Sequence, residues 1–337
     1  MTDSEPVAPA EREASSAVTA SDSGSLRVVV LAGGISHERE ISLRSGRRVV
    51  DALSAAGHRA ELRDSDAGLL PFLTADRPDV VFPALHGTSG EDGSLLYLLD
   101  ALRLPTVGSS GPAARRAWSK PVATSLARDA GINVPRSIVL SNESFRELGA
   151  ASILGVVREA FDGDLVVKPA YGGSAQGVTI VDEPGELPRA LVEAFTYADV
   201  AVIEQRIVGA EIAVSVVDTG EGPRALPPVE ISPTAEFYDF EARYNAGETT
   251  FYAPARIDAD VAAAASEAAI LVHRTLGLRD LSRADFIVDA QGTPWFLETN
   301  VLPGHTETSL LPLAIGASGT TSAALYDALV RRVHARG

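Results

Sequence analysis

Cysteine is absent from the 337-residue sequence, which excludes disulfides, thiolate zinc sites and cysteine nucleophiles and leaves the redox compartment undetermined. Long apolar runs are missing too. No stretch is long enough to span a bilayer, and residues 1–24, rich in Ala, Ser and Glu, lack the apolar centre of a signal peptide. A disordered tail over 1–24, no membrane partner and a cytoplasmic location are therefore expected. Positive charge is in deficit: 29 Lys and Arg stand against 45 Asp and Glu, for a formal charge of −16. An extended basic face for nucleic acid is not expected, and any polyphosphate site has to be locally basic. What remains, 45% hydrophobic and 22% charged residues, is the composition of a soluble globular protein with room for two or three domains.

The chain opens with an apolar run at residues 26–31, typical of a buried parallel strand, broken by Gly33-Gly34 before the helical pattern ISLRSGRRVVDALSAAG. Glu38 and Glu40 fall at the start of that helix. The dipole explains acids there, and so does a substrate ammonium held at the C-terminal edge of a parallel sheet. A second unit follows, PDVVFPAL as strand, HGTSGEDG as loop and SLLYLLDALRL as helix, with His86 at the crevice end of its strand. Alternating strands and helices predict a doubly wound α/β domain ending near Gly108.

Helices are expected around PVATSLARDA, which Lys120 begins, and around SFRELGAASILGVVREAF. In DLVVKPAYGGSAQGVTIVD two β-rich arms flank Pro169 to Gly177. This is neither a Walker loop nor a dinucleotide fingerprint. Its glycines still allow backbone N–H groups to close on phosphate oxygens, with Ser174 adding a hydroxyl and Lys168 an ammonium; a plain surface hairpin is the alternative. Two more strands surround Gly209, with Glu204 and Glu211 in apolar company, either as ribose acceptors or as edge-strand charges. The stretch EFYDFEARYNAGETTFY has poor periodicity and reads as an ordered loop or lid.

Residues 281–310 are the stretch on which the rest turns. Arg283–Asp289 and Pro294–Asn300 alternate apolar and polar residues about Gln291-Gly292, a pair suited to a tight turn. With that turn, Asp285 opposes Glu298 and Arg283 opposes Asn300 on one face, while Phe286, Val288, Trp295 and Leu297 form the opposite, apolar face. Two facing carboxylates repel unless a cation stands between them, and an oxygen set of Asp, Glu and Asn suits Mg²⁺ or Mn²⁺ completed by phosphate and water. A solvated face with an Arg and Asp ion pair is the simpler alternative.

Five blocks, AGGISHEREISLRSG, LHGTSGEDG, VKPAYGGSAQG, EFYDFEARY and RADFIVDAQGTPWFLETNVLPGHTETSL, occur in an order that resembles the D-alanyl-D-alanine ligases of the ATP-grasp superfamily, from Leu26 to the C-terminus. The resemblance implies an α/β protein of three-domain ATP-grasp architecture. A doubly wound parallel sheet would occupy 25–108, a central subdomain with the glycine-rich hairpin 109–203, and a C-terminal subdomain with the lid and the metal-binding hairpin 204–337. It implies ATP between the last two, contacted by Lys120, Lys168 and Gly173, by Glu204, Gln205 and Ile207 around the adenine, by Glu211 at the ribose, and by Phe237 and Arg243.

Asp285, Glu298 and Asn300 resemble the ligands of two Mg²⁺ (or Mn²⁺) ions. Glu38, Ser174 and Tyr244 would form a substrate-linking set, with Glu38 on the amino group of the first D-alanine and His86 beside it. Arg283 and the N–H of Gly304 would stabilise an oxyanion, and Ser309 and Leu310 would receive the second carboxylate. The implied activity is ATP-dependent D-alanine:D-alanine ligation for cell-wall synthesis, by a homodimer. Ala175, Ser119, Arg243 and His305 depart from the usual pattern, and His305, beside Gly304, raises the alternative of a different acceptor. A nucleotide-binding pseudoligase is a further alternative, against which the intact metal trio argues.

Overall fold

In the computed structural model, residues 24–233 and 249–337 are described. The expected tail up to residue 23 and the lid residues Phe237, Arg243 and Tyr244 lie outside them.

The elements run β1 (Arg27–Leu31), α1 (Arg39–Ala55), β2 (Arg59–Arg63), α2 (Leu69–Ala75), β3 (Val80–Pro83), α3 (Thr88–Glu91), α4 (Ser94–Ala101), α5 (Gly111–Trp118), α6 (Lys120–Asp129), β4 (Ser137–Ser141), α7 (Asn142–Leu148), α8 (Ala150–Ala160), β5 (Leu165–Pro169), β6 (Thr179–Val181), α9 (Leu187–Ala194), β7 (Val200–Gln205), β8 (Gly209–Val217), β9 (Arg224–Ala225), β10 (Val229–Pro233), β11 (Thr249–Tyr252), α10 (Ala259–Thr275), β12 (Leu281–Asp289), β13 (Pro294–Asn300), α11 (Leu310–Ala317) and α12 (Ser322–Arg336).

They build three sheets. The first is parallel, in the order β2-β1-β3, and Thr106 bridges to Val81 at its edge. Consecutive residues of its strands enter different cores. Val29, Leu31 and Val81 pack with Leu73 and Leu99, whereas Val28, Val30 and Phe82 pack with Val49, Leu53, Tyr326 and Leu329. Both faces are covered, which is why these strands carry unbroken apolar runs. One covering helix, α12, comes from the far end of the chain.

The second sheet, β4-β7-β5-β6, is antiparallel and encloses its own core around Val167, Leu191 and Ile203. The helical pattern before it is one segment in the sequence but two in the structure. Gly149, at φ +77°, ends α7 and starts α8 at a new angle.

The third sheet runs β11-β10-β8-β12-β13, with β9 on β8. In its hairpin, Asp285 does oppose Glu298, and Arg283 opposes Asn300. The loop nevertheless holds three residues rather than two. Asp289 accepts from the backbone N–H groups of Gln291 and Thr293, and Gly292 takes φ +78°. Phe286 therefore pairs with Phe296, and a bulge at Leu297 restores the expected pairing one step further on. The apolar face is corrected accordingly. Phe286, Val288 and Phe296 enter the core, whereas Leu297 turns toward a cleft and Trp295 donates its indole N–H to Asp289 Oδ2 at 2.7 Å.

Candidate active site

Two cavities, of ≈ 390 and ≈ 380 Å³, lie on either side of the polar face of the β12–β13 hairpin. Glu298 lines both. The first is walled by the second and third sheets and collects Lys168, Glu204, Gln205, Ile207, Glu211 and Asp285. Antiparallel pairing explains two of these: Lys168 sits opposite Val202 and Glu204 opposite Val166, so they are diagonal neighbours on one face. Their side chains, both buried, form an ion pair at 2.6 Å.

The second cavity lies between the first and third sheets and collects Glu38, His86, Lys120, Gly173, Ser174 and Arg283. It continues over Asn300, Gly304, Ser309 and Leu310. Glu38 stands at the N-terminal boundary of α1, and its Oε1 accepts from Ser174 Oγ at 2.6 Å. Ser174 and Ala175 both hold φ +55°, a left-handed pair of non-glycine residues at the tip of the glycine-rich hairpin. The Ser174 bond to Glu38 ties this tip to the start of α1. Ser309, just before α11, receives the Thr306 N–H, and a Cβ on Gly304 would lie 2.6 Å from its Oγ. Only glycine lets the two approach.

The cations on the hairpin face already have carboxylate partners. Arg283 holds Asp285 through two bonds, Nε to Oδ1 at 2.7 Å and a second nitrogen to Oδ2 at 2.8 Å. Lys120 reaches Glu298 at 3.1 Å and donates to the Gly172 carbonyl at 2.6 Å. Asn300 Oδ1 accepts from the Leu302 N–H. Among the described residues no three His, Asp or Glu side chains converge on one point. The donor set is two facing carboxylates and an amide oxygen, all hard, at positions that now attract positive side chains. That fits a Mg²⁺-like ion whose remaining ligands come from phosphate and water.

Sequence reasoning missed Glu91 and Leu297. Glu91 is buried in the second cavity, accepts from the Gly87 N–H, and is pushed up to about 8 by desolvation and then by the charge of Glu38. Its sequence signal is an acid inside the LHGTSGEDG block. Burial likewise lowers His86. His305 is corrected outright: it does not line the acceptor cavity. Its ring turns into the core, with Nδ1 2.7 Å from the Tyr326 hydroxyl and Phe82 edge-on, and burial pushes its pKa down to about 3.

Residues 126–331 match the family model described as "D-ala D-ala ligase C-terminus". The chain is 40% identical over 286 residues to the D-alanine–D-alanine ligase of Anaeromyxobacter sp. (strain K), covering 85% of this chain and 90% of that one. Two similar solved structures are the VanG D-Ala:D-Ser ligase from Enterococcus faecalis and the D-alanine–D-alanine ligase from Bacillus anthracis complexed with ATP. The first has a TM-score of 0.78 at 26% identity, covering 92% of this chain and 100% of that one. The second has a TM-score of 0.77 at 28% identity, covering 92% and 97%.

Proposed function

Because the chain belongs to the D-alanine–D-alanine ligase family, we propose that it joins two D-alanine molecules at the expense of ATP, releasing ADP and phosphate. The observation that carries this is the shared carboxylate: Glu298 lines both cavities, so a phosphoryl donor in one and an acceptor in the other meet at the hairpin face.

ATP would occupy the first cavity, with Lys168 on its phosphates, Glu204, Gln205 and Ile207 at the base and Glu211 at the ribose. Asp285, Glu298 and Asn300 would hold the Mg²⁺ (or Mn²⁺) ions, two per site, which supply charge neutralisation to the transferring phosphoryl group. Glu38 would take the ammonium of the first D-alanine, whose carboxylate oxygen receives the γ-phosphoryl group. The amine of the second D-alanine, its carboxylate at Ser309 and the start of α11, then attacks the acyl carbon and expels phosphate. Arg283 and the Gly304 N–H, which line the same cavity, would donate to the tetrahedral oxyanion, each such donor being worth about 2.7–4 kcal/mol of barrier. Ser174 bonded to Glu38 joins the phosphate hairpin to the substrate loop, and Tyr244 of the lid would complete that set.

A different acceptor was suggested by His305 and by the N-terminal tail; the His305 ring is buried against Phe82 and Tyr326 and lends that alternative no support. Phosphate release over a panel of D-amino acids, with mass spectrometry of the products, tests the proposal. D-alanyl-D-alanine should dominate at pH 8 with D-lactate accepted poorly; a mainly ester product, or turnover with another acceptor alone, overturns it. A homodimer and a place in cell-wall synthesis are part of the same proposal, checked by light scattering and by rescue of a ligase-deficient bacterium.

A further inference from the structure

Behind Glu38 lies a chain of buried polar groups that the proposed chemistry does not use. Helix α1 turns Ser42, Ser45, Gly46 and Val49 inward, and Ser45 is fully buried. Its Oγ has two partners among the described residues: the His305 backbone N–H at 3.2 Å and His86 Nε2 at 3.0 Å. A backbone N–H can only donate, so the Ser45 oxygen accepts there. The single hydroxyl proton then has the imidazole as its remaining partner, and leaving it unbonded in the interior would be costly.

Nε2 of His86 is thereby an acceptor, and the proton of the neutral ring sits on Nδ1. Nδ1 faces Glu91, 4.0 Å from its Oε1. The turn after β13 is thus fastened next to Gly304 by the His305 N–H to Ser45, while the His305 ring anchors its far side to Tyr326 of α12.

We propose that Ser45 is a positioning residue for the acceptor half of the site. Its hydroxyl fixes His86 as the Nδ1–H tautomer and clamps the turn carrying Gly304 against the helix that begins at Glu38. This rests on Gly304 and Ser309 forming the acceptor pocket, as proposed above, but the tautomer does not depend on that assignment. The clamp matters because donors aimed at a transition state lose effect when displaced by an ångström or less.

The test has two arms on the full chain. Long-range ¹⁵N–¹H correlation spectra of histidine-labelled protein, with His86 assigned through His86→Gln, report the tautomer directly. A neutral ring protonated on Nδ1 is expected, and a ring protonated on Nε2, or on both nitrogens at pH 8, overturns the proposal. In Ser45→Ala the His86 signals should become those of mixed tautomers. The D-alanine concentration for half-maximal rate should rise about tenfold, the scale of one lost hydrogen bond, with the value for ATP within about twofold. An unchanged D-alanine requirement, or equal rises for both substrates, overturns the positioning role. Absence of D-alanine-dependent turnover in the unmodified protein strikes the ligase proposal, whereas an Nε2–H His86 strikes the Ser45 proposal alone.

Discussion

Glu91 shows what burial does to a single carboxyl group. Its pKa is raised from 4.5 to about 8 by desolvation, so it folds protonated at neutral pH. The unfolded chain gives up that proton from pH 4.5 upward while the folded chain keeps it, so stability is whole below 4.5 and is lost as pH rises toward 8. Glu91→Gln should therefore gain stability over the unmodified protein with increasing pH, at a limiting slope of about 1.4 kcal/mol per pH unit, and gain nothing below 4.5. Urea midpoints at pH 4, 6 and 8 check this. Lys168 and Glu204 make the opposite case, two buried charges each solvated by the other. Lys168→Ala strands the glutamate and should cost about 3 kcal/mol as well as weakening ATP binding. Lys168→Met combined with Glu204→Gln should recover most of the thermal midpoint but not the affinity, and calorimetry separates the two.

At the scale of elements, the β12–β13 hairpin shows how far sequence carries. Alternation placed Asp285 opposite Glu298, and the structure has them so, yet the agreement comes from two one-residue offsets that cancel, a longer loop and a bulge. Neither offset was legible. The Asp289 side chain that lengthens the loop acts through backbone amides, and the bulge follows from which aromatic fills the core. Apolar runs revealed the parallel strands, and the glycine-rich hairpin was visible as composition. The bend at Gly149 and the burial of His305 were not, because both depend on what packs against them. Glu298→Gln tests the hairpin face as a unit. Turnover should fall at least about a hundredfold while the circular dichroism spectrum and melting temperature stay close to those of the parent, since Lys120 keeps the Gly172 carbonyl.

Over the whole molecule, the C-terminus closes the structure. Asp280 is fully buried, accepts from the Gly108 N–H, and is held by Arg336 through bonds of 2.8 and 2.9 Å. The last helix thus reaches both the first and the third sheet. Arg336→Ala should cost about 2 kcal/mol, toward the low side for a broken buried pair because the arginine is partly exposed. A lowered thermal midpoint with unchanged substrate half-saturation is expected.

The paired cations of the site have a further consequence. Lys120, Lys168 and Arg283 each neutralise a carboxylate, so under the proposed function the site would act as an ion exchanger. Asp285 and Glu298 would trade the guanidinium of Arg283 and the ammonium of Lys120 for metal, and the ammonium groups of Lys120 and Lys168 would turn to phosphate. Most of these charges would keep a partner throughout, so little bulk salt would be taken up or set free. A protein of net charge −16 can then take up a polyanion without having to outbid its own field. Nucleotide affinity, titrated between 50 and 300 mM KCl at fixed free Mg²⁺, should change by less than about threefold, where simple attraction to an open basic patch would fall much more steeply.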